Sequence, residues 1–133
     1  MEKVILFDLV SPEQLVFNDK VGMTIIPGRD GDIGVLPGHS KLLSSLRSGR
    51  VMIYGKDKQL LKSFFLSGGF VEINPEKCIV LTDEVSEMSK LDKSTIEKQM
   101  QELQNETSEE SKQKYLNAKS KIEALTSTYY EKI

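Results

Sequence analysis

The chain has no tryptophan, one cysteine and one histidine among its 133 residues, and its charges nearly cancel. Each scarcity removes a class of chemistry. Cys78 alone cannot close an internal disulfide, and one histidine with one distant cysteine cannot supply the about three or four N and S ligands that zinc takes. Eighteen Lys and Arg face twenty Asp and Glu, ten against eleven up to residue 86 and eight against nine beyond it. No basic cluster is present to neutralise phosphates, so nucleic acid is not an expected partner. No apolar run approaches the ~20 residues that cross a bilayer. The opening "MEKVILFDLV" reads as neither a signal peptide nor an Arg-rich transit sequence, which favours a soluble bacterial chain over a nuclear-encoded organelle protein, though a plastid-encoded one would look the same. With five Phe and four Tyr, the core must be mostly aliphatic.

Glycine and proline also run out: neither occurs after residue 86. Before that point the chain reads as short strands between turn signals, "VILFDLV" (4–10), "VGMTIIPG" (21–28), "RVMIYG" (50–55), "LKSFFLS" (61–67), "FVEI" (70–73) and "CIVLTD" (78–83). Val21, Met23 and Ile25 are expected to share one face. Strands this short at this spacing indicate antiparallel sheets in a sandwich or barrel. Cys78, inside an apolar run, is expected to be a buried, inert thiol. Beyond residue 86, Ile96, Met100 and Leu103 recur at helical spacing, as do Tyr115, Ala118, Ile122, Leu125 and Tyr129. Ser94–Glu97 and Thr107–Glu110 fit the S/T-x-x-E capping box and mark two helix starts. The expected division is a β-sandwich over residues 1–86 and a helical hairpin over 87–133. So few apolar side chains make the hairpin marginal alone, so it needs the sandwich or a partner to lie on.

The stretch "GDIGVLPGH" (31–39) concentrates the residues that could carry chemistry. It lacks the G-x-x-x-x-G-K-[ST] spacing of a phosphate loop and the G-x-G-x-x-G of a dinucleotide turn. A calcium loop opening at Asp30 would place Val35 where glycine is required and Lys41 where the bidentate glutamate belongs. No spacing gives His39 a nucleophile or an orienting acid. Gly31, Gly34, Pro37 and Gly38 therefore read as structural turns. "LSGGF" (66–70) resembles the signature peptide of ABC-type ATPases, but no phosphate loop accompanies it; Gly68 and Gly69 read as a hairpin turn between two strands. Asp83 and Glu84 read as a solvated strand end. The lysines of the second helix, mixed with Glu109, Glu110 and Glu123, read as a solvated face, with docking to an acidic partner as the alternative. No catalytic residue, metal site or cofactor is expected.

Four stretches in order, "VSPEQLVF", "GDIGVLPGHSKLL", "FLSGGFVEI" and "CIVLTDEVSE", closely resemble the ε subunit family of bacterial F-type ATP synthases, counterpart of mitochondrial δ. The resemblance is specific over residues 4 to about 87 and holds only in layout beyond. It implies an antiparallel β-sandwich of about ten strands followed by a two-helix antiparallel hairpin. It further implies a non-catalytic central-stalk subunit that joins the γ subunit to the ring of c subunits, peripheral on the cytoplasmic face of the bacterial inner membrane and attached only through the complex. In many members the hairpin extends along γ and inhibits ATP hydrolysis, and the α and β subunits are then further candidate partners of the extended hairpin. The positions matching the family's ring-facing acid and histidine are Asp32 and His39.

The chain departs from the pattern at one place. Some relatives bind ATP on the folded hairpin through an apolar-Asp-x-x-Arg-Ala motif with further arginines. Here Asp92 is present, but Thr95 and Ile96 stand for Arg and Ala, and no arginine follows Arg50. Lysine point charges are a poor substitute for a guanidinium fork, so nucleotide binding is expected to be weak or absent. Two rival readings stand beside the stalk subunit. A ligand-binding or catalytic sandwich would need a pocket of convergent polar groups, which no pattern supplies. A soluble adaptor would use the hairpin to bind a partner helix.

Overall fold

Strict alternation writes the first strand. In Ile5–Val10 (β1), Ile5, Phe7 and Leu9 are fully buried while Leu6, Asp8 and Val10 are half-exposed. The computed structural model describes residues 3–126 and divides the chain into two units, Met1–Glu87 and Met88–Ile133.

The first unit continues with Leu15–Val21 (β2), Met23–Gly28 (β3), Gly31–Val35 (β4), Leu42–Leu46 (β5), Gly49–Tyr54 (β6), Leu60–Leu66 (β7), Gly69–Ile73 (β8), Lys77–Leu81 (β9) and Val85–Glu87 (β10). These ten strands form one hydrogen-bonded path, β10-β7-β6-β3-β5-β8-β9-β1-β2, with β4 added on β3. Between β3 and β5 the only ladder pair is Gly28 with Leu46, so the path has a half on each side of that junction. Both halves contribute to one core: Ile5, Phe7, Val71 and Val80 from one, Ile26, Val51, Phe64 and Leu66 from the other. That shared core is what makes the sheet a sandwich.

Six of the strands announce themselves in the sequence; β2, β4, β5 and β10 do not. Their burial is irregular or one-sided, with only Val21, Val35 and Leu46 buried among the seventeen residues of β2, β4 and β5. Edge and corner strands bury too little to alternate. The pairing is antiparallel except between β1 and β9, which run parallel. Val21, Met23 and Ile25 do not share a face. Val21 ends β2, the chain turns at Gly22, and in β3 it is Ile26 that joins the core cluster while Met23 is half-exposed.

Two glycine assignments also change. Gly34 lies within β4, paired with Ile25, and is not a turn. Gly68 and Gly69 make no hairpin: β7 pairs with β6 and β10, whereas β8 pairs with β5 and β9. The Gly-Gly step carries the chain from one half of the sandwich to the other. Thr82 Oγ1 lies 2.6 Å from the Gly68 carbonyl oxygen and holds that crossing in place.

The second unit has a 3₁₀ turn at Met88–Lys90, then Lys93–Gln104 (α1) and Glu109–Thr126 (α2), packed on one another. Both helices start one or two residues from the expected caps. Asp92, not Ser94, caps α1: its carboxylate accepts from the Ser94 N–H at 3.1 Å and from the Thr95 hydroxyl at 2.8 Å. Ser108, not Thr107, caps α2, accepting from the Ser111 N–H at 3.1 Å. The Ser111 hydroxyl in turn donates to the Glu106 carboxylate. Ile96 and Ala118 are buried, and Met100, Leu103, Tyr115, Ile122 and Leu125 half-buried, as the two stripes predict. Tyr129 lies outside the described residues.

Candidate functional site

Asp32 sits where β4 leaves the tight reversal from β3. Gly28 pairs with Gly31 across that reversal, leaving Arg29 and Asp30 exposed at its tip. Gly31 has φ +145°, a conformation side chains rarely adopt, so glycine there lets the chain turn at once into β4. Arg47, in the turn between β5 and β6, closes over this reversal. Its backbone N–H donates to the Pro27 carbonyl at 3.0 Å, and its Nη1 donates to the Gly28 carbonyl at 2.5 Å. Its Nη2 pairs with Asp32 Oδ1 at 2.5 Å. The Arg29 N–H returns a bond to the Ser45 carbonyl at 3.0 Å. Two reversals far apart in the chain are thereby bolted into one rigid corner.

His39 occupies a different corner. The Leu36-Pro37-Gly38-His39 turn closes with the His39 N–H on the Leu36 carbonyl at 3.1 Å, and Gly38 has φ +85°. Proline second and a positive-φ glycine third are the marks of a type II turn. The Gly38 N–H donates to the Pro75 carbonyl at 2.9 Å, tying this turn to the β8–β9 connection. His39 Nδ1 lies 2.6 Å from the Ser40 carbonyl oxygen, which can only accept, so Nδ1 carries the proton and Nε2 is left for a partner.

Asp32 and His39 are therefore not brought together. Asp32 belongs to the corner at Leu46, His39 to the corner near Leu42, which pairs with Ile73 beside Asn74 and Pro75. Four strand steps of ~3.3 Å separate the two ends of β5, roughly 13 Å. Asp92 is already spent on capping α1. Among the described residues no group of three or more His, Cys, Asp and Glu is placed to hold a metal ion.

Cys78 is buried, and burial, reinforced by the negative charge of Asp8, pushes its thiol up to about 12. Asp8 itself accepts from Asn18 and pairs with Lys77 at 3.3 Å. A buried thiol held in its protonated form is a poor nucleophile.

Two features escaped the sequence. Arg47 stands fifteen residues from Asp32, and only the meeting of β3 with β5 makes them neighbours. The second is an apolar row on the outer face of the sandwich. Phe70 pairs with Leu81, Leu81 with Val10, and Val10 with Leu15, crossing β8, β9, β1 and β2. Phe70, Leu81 and Leu15 are 60%, 52% and 56% exposed and form a contiguous apolar strip. Their alternation with Val71 and Val80 was legible, but which side lay outward was not.

Residues 5–88 match the family described as ATP synthase, Delta/Epsilon chain, beta-sandwich domain. The chain is 38% identical over 123 residues to the ATP synthase epsilon chain of Rhodospirillum rubrum, covering 90% of this chain and 91% of that one. The epsilon chain of Rhodospirillum centenum is 38% identical over 104 residues, 75% of this chain and 71% of the relative. Among solved structures, a chain of the Euglena gracilis mitochondrial ATP synthase (OSCP/F1/c-ring) aligns with a TM-score of 0.74 at 18% identity, over 94% of this chain and 79% of that one. A chain of the Tetrahymena thermophila mitochondrial ATP synthase central stalk/c-ring gives 0.60 at 15%, over 92% and 93%. At such identities the structural likeness speaks to the fold.

Proposed function

Because the chain belongs to the ATP synthase delta/epsilon chain family, we propose that it is a central-stalk subunit of a rotary ATP synthase. In this reading it couples the c-ring to the γ subunit and has no catalytic group of its own. The observation that carries the reading is the exposed apolar row Phe70–Leu81–Val10–Leu15 on a sandwich whose corners are fixed by ion-pair and carbonyl contacts. An apolar face suits a permanent neighbour, which we assign to γ. Stiff polar corners suit a contact that transmits torque, and we assign Asp32 of β4 and His39 of the Leu36–His39 turn, in the corners beside the two ends of β5, to the polar loops of the ring. Among the described residues no helix is long and apolar enough to cross a membrane. Attachment to the cytoplasmic face of a bacterial inner membrane then comes through the complex.

The helical unit has a separate role in this proposal. Its described helices bury only Ile96, Ser111, Ala118 and Ala124, so little holds it in one arrangement. It is assigned the regulatory part, restraining hydrolysis when it reaches toward the α and β subunits.

Co-purification with γ tests the proposal. The full chain and a version ending at Glu87 should both be retained by γ, whereas Phe70→Asp with Leu81→Asp should not. A chain indifferent to γ would end this reading, and hydrolysis unchanged by removal of the helices would end the regulatory part.

A further inference from the structure

We infer that Arg47 is a positioning residue for the ring contact, presenting Asp32 as one half of a neutral pair and not as a free acid. The inference rests on the stalk reading above and extends it to the chemistry of the joint. The ladder with β3, where Asp32 pairs with Pro27, fixes the backbone of the strand start. What directs the Asp32 carboxylate is the guanidinium. One planar fork addresses two acceptors from different segments, the Gly28 carbonyl and Asp32 Oδ1, both at 2.5 Å. A lysine, with one point charge on a flexible stem, cannot hold both in fixed directions.

The arrangement also sets what the partner must offer. The Arg47 side chain is 40% exposed and that of Asp32 19%, so both reach the surface, the arginine the more. With Arg29 and Asp30 beside them, the corner carries two charges of each sign. Asp32 Oδ1 is occupied and its charge balanced, which leaves Oδ2 to accept from a neutral donor. The loop that docks here is thus expected to supply amide or hydroxyl hydrogens to Asp32 Oδ2, and needs no cation.

The test uses the assembled complex with the full-length chain, read as the rate at which the catalytic head leaves washed membranes. Arg47→Met should release the head about threefold to fivefold faster, the scale of one exposed ion pair. Arg47→Lys should fall between it and the unaltered chain. Adding Arg47→Met to Asp32→Ala should release no faster than Asp32→Ala alone, because the arginine acts through the acid. Exchanging the two residues, Asp32→Arg with Arg47→Asp, restores a pair but moves the acid, and retention should stay below that of the unaltered chain. Unchanged release with Arg47→Met, multiplied losses in the double variant, or full recovery in the exchanged one would each overturn the inference. Should Arg47→Met abolish the melting transition of the isolated chain, Arg47→Lys and the exchanged variant carry the test. Failure of the unaltered chain to bind γ or the head would instead bring down the stalk reading itself.

Discussion

The backbone of Gly69 runs so close to Leu81 that a β-carbon on Gly69 would stand 2.0 Å from the Leu81 carbonyl oxygen. This contact sits where the chain crosses between the halves of the sandwich, with φ at Gly69 of +136°. Neither the space nor the backbone conformation admits a side chain. Gly69→Ala is expected to destabilise the sandwich by about 3 kcal/mol or more. Gly34→Ala, extended within β4 with nothing within 4 Å of the added carbon, should cost less than about 0.5 kcal/mol on the same scale. Urea unfolding of the two variants separates them, and equal midpoints would contradict the close approach.

Cys78 supplies a pH dependence with a definite sign. An unfolded thiol loses its proton near 9.0, whereas the folded one retains it to about 12. Between those values the unfolded state binds fewer protons, so the stabilisation present below pH 9 is lost as pH rises, by up to about 1.4 kcal/mol per pH unit. Urea midpoints at pH 8 and pH 10 should diverge for the native chain and diverge less for Cys78→Ala. A thiol reagent should label the native chain only as fast as it unfolds.

Asp92 is a helix cap, and its loss should be local. Asp92→Ala is expected to cost α1 about 1 kcal/mol, seen as roughly fivefold faster amide exchange in its first turn with the sandwich amides unchanged. Millimolar ATP should give no saturable binding to either chain, because Asp92 is occupied and no arginine follows Arg50. Saturation at physiological ATP would refute this.

Asp32 and His39 stand at opposite ends of β5, so their contributions to head retention should be separable. Asp32→Ala and His39→Ala are each expected to speed release of the head a few-fold, about 1 kcal/mol apiece, and to combine additively. Strong non-additivity in the double variant would mean that the two corners act as one contact.

The helical stripes and the six strongly apolar strands could be read directly, because burial on one face leaves a period in the residues themselves. Ile96, Met100 and Leu103 show this at a step of three or four. The helix caps were displaced because several hydroxyls and acids compete at each start; Ser94 and Asp92 both qualify, and only backbone geometry chooses between them. The turn of residues 36–39 was legible from Pro37 and Gly38, whose side chains, or lack of them, restrict the backbone wherever they occur. Gly68 and Gly69 were misread for the complementary reason. Positive φ is common to a hairpin and to a crossing, and the residues do not say which strand comes next.

Composition and local pattern thus determined by themselves a sandwich followed by helices. They also determined the family to which the chain belongs, since its ordered stretches are contiguous in sequence. Tertiary structure alone decided that Arg47 meets Asp32, that His39 lies in another corner, that β1 runs parallel to β9, and that Phe70, Leu81, Val10 and Leu15 line up on one face. Those are pairings between residues distant in the chain. They follow from which strands share a ladder and in what register, and a local sequence pattern constrains the face of a strand but not its neighbour.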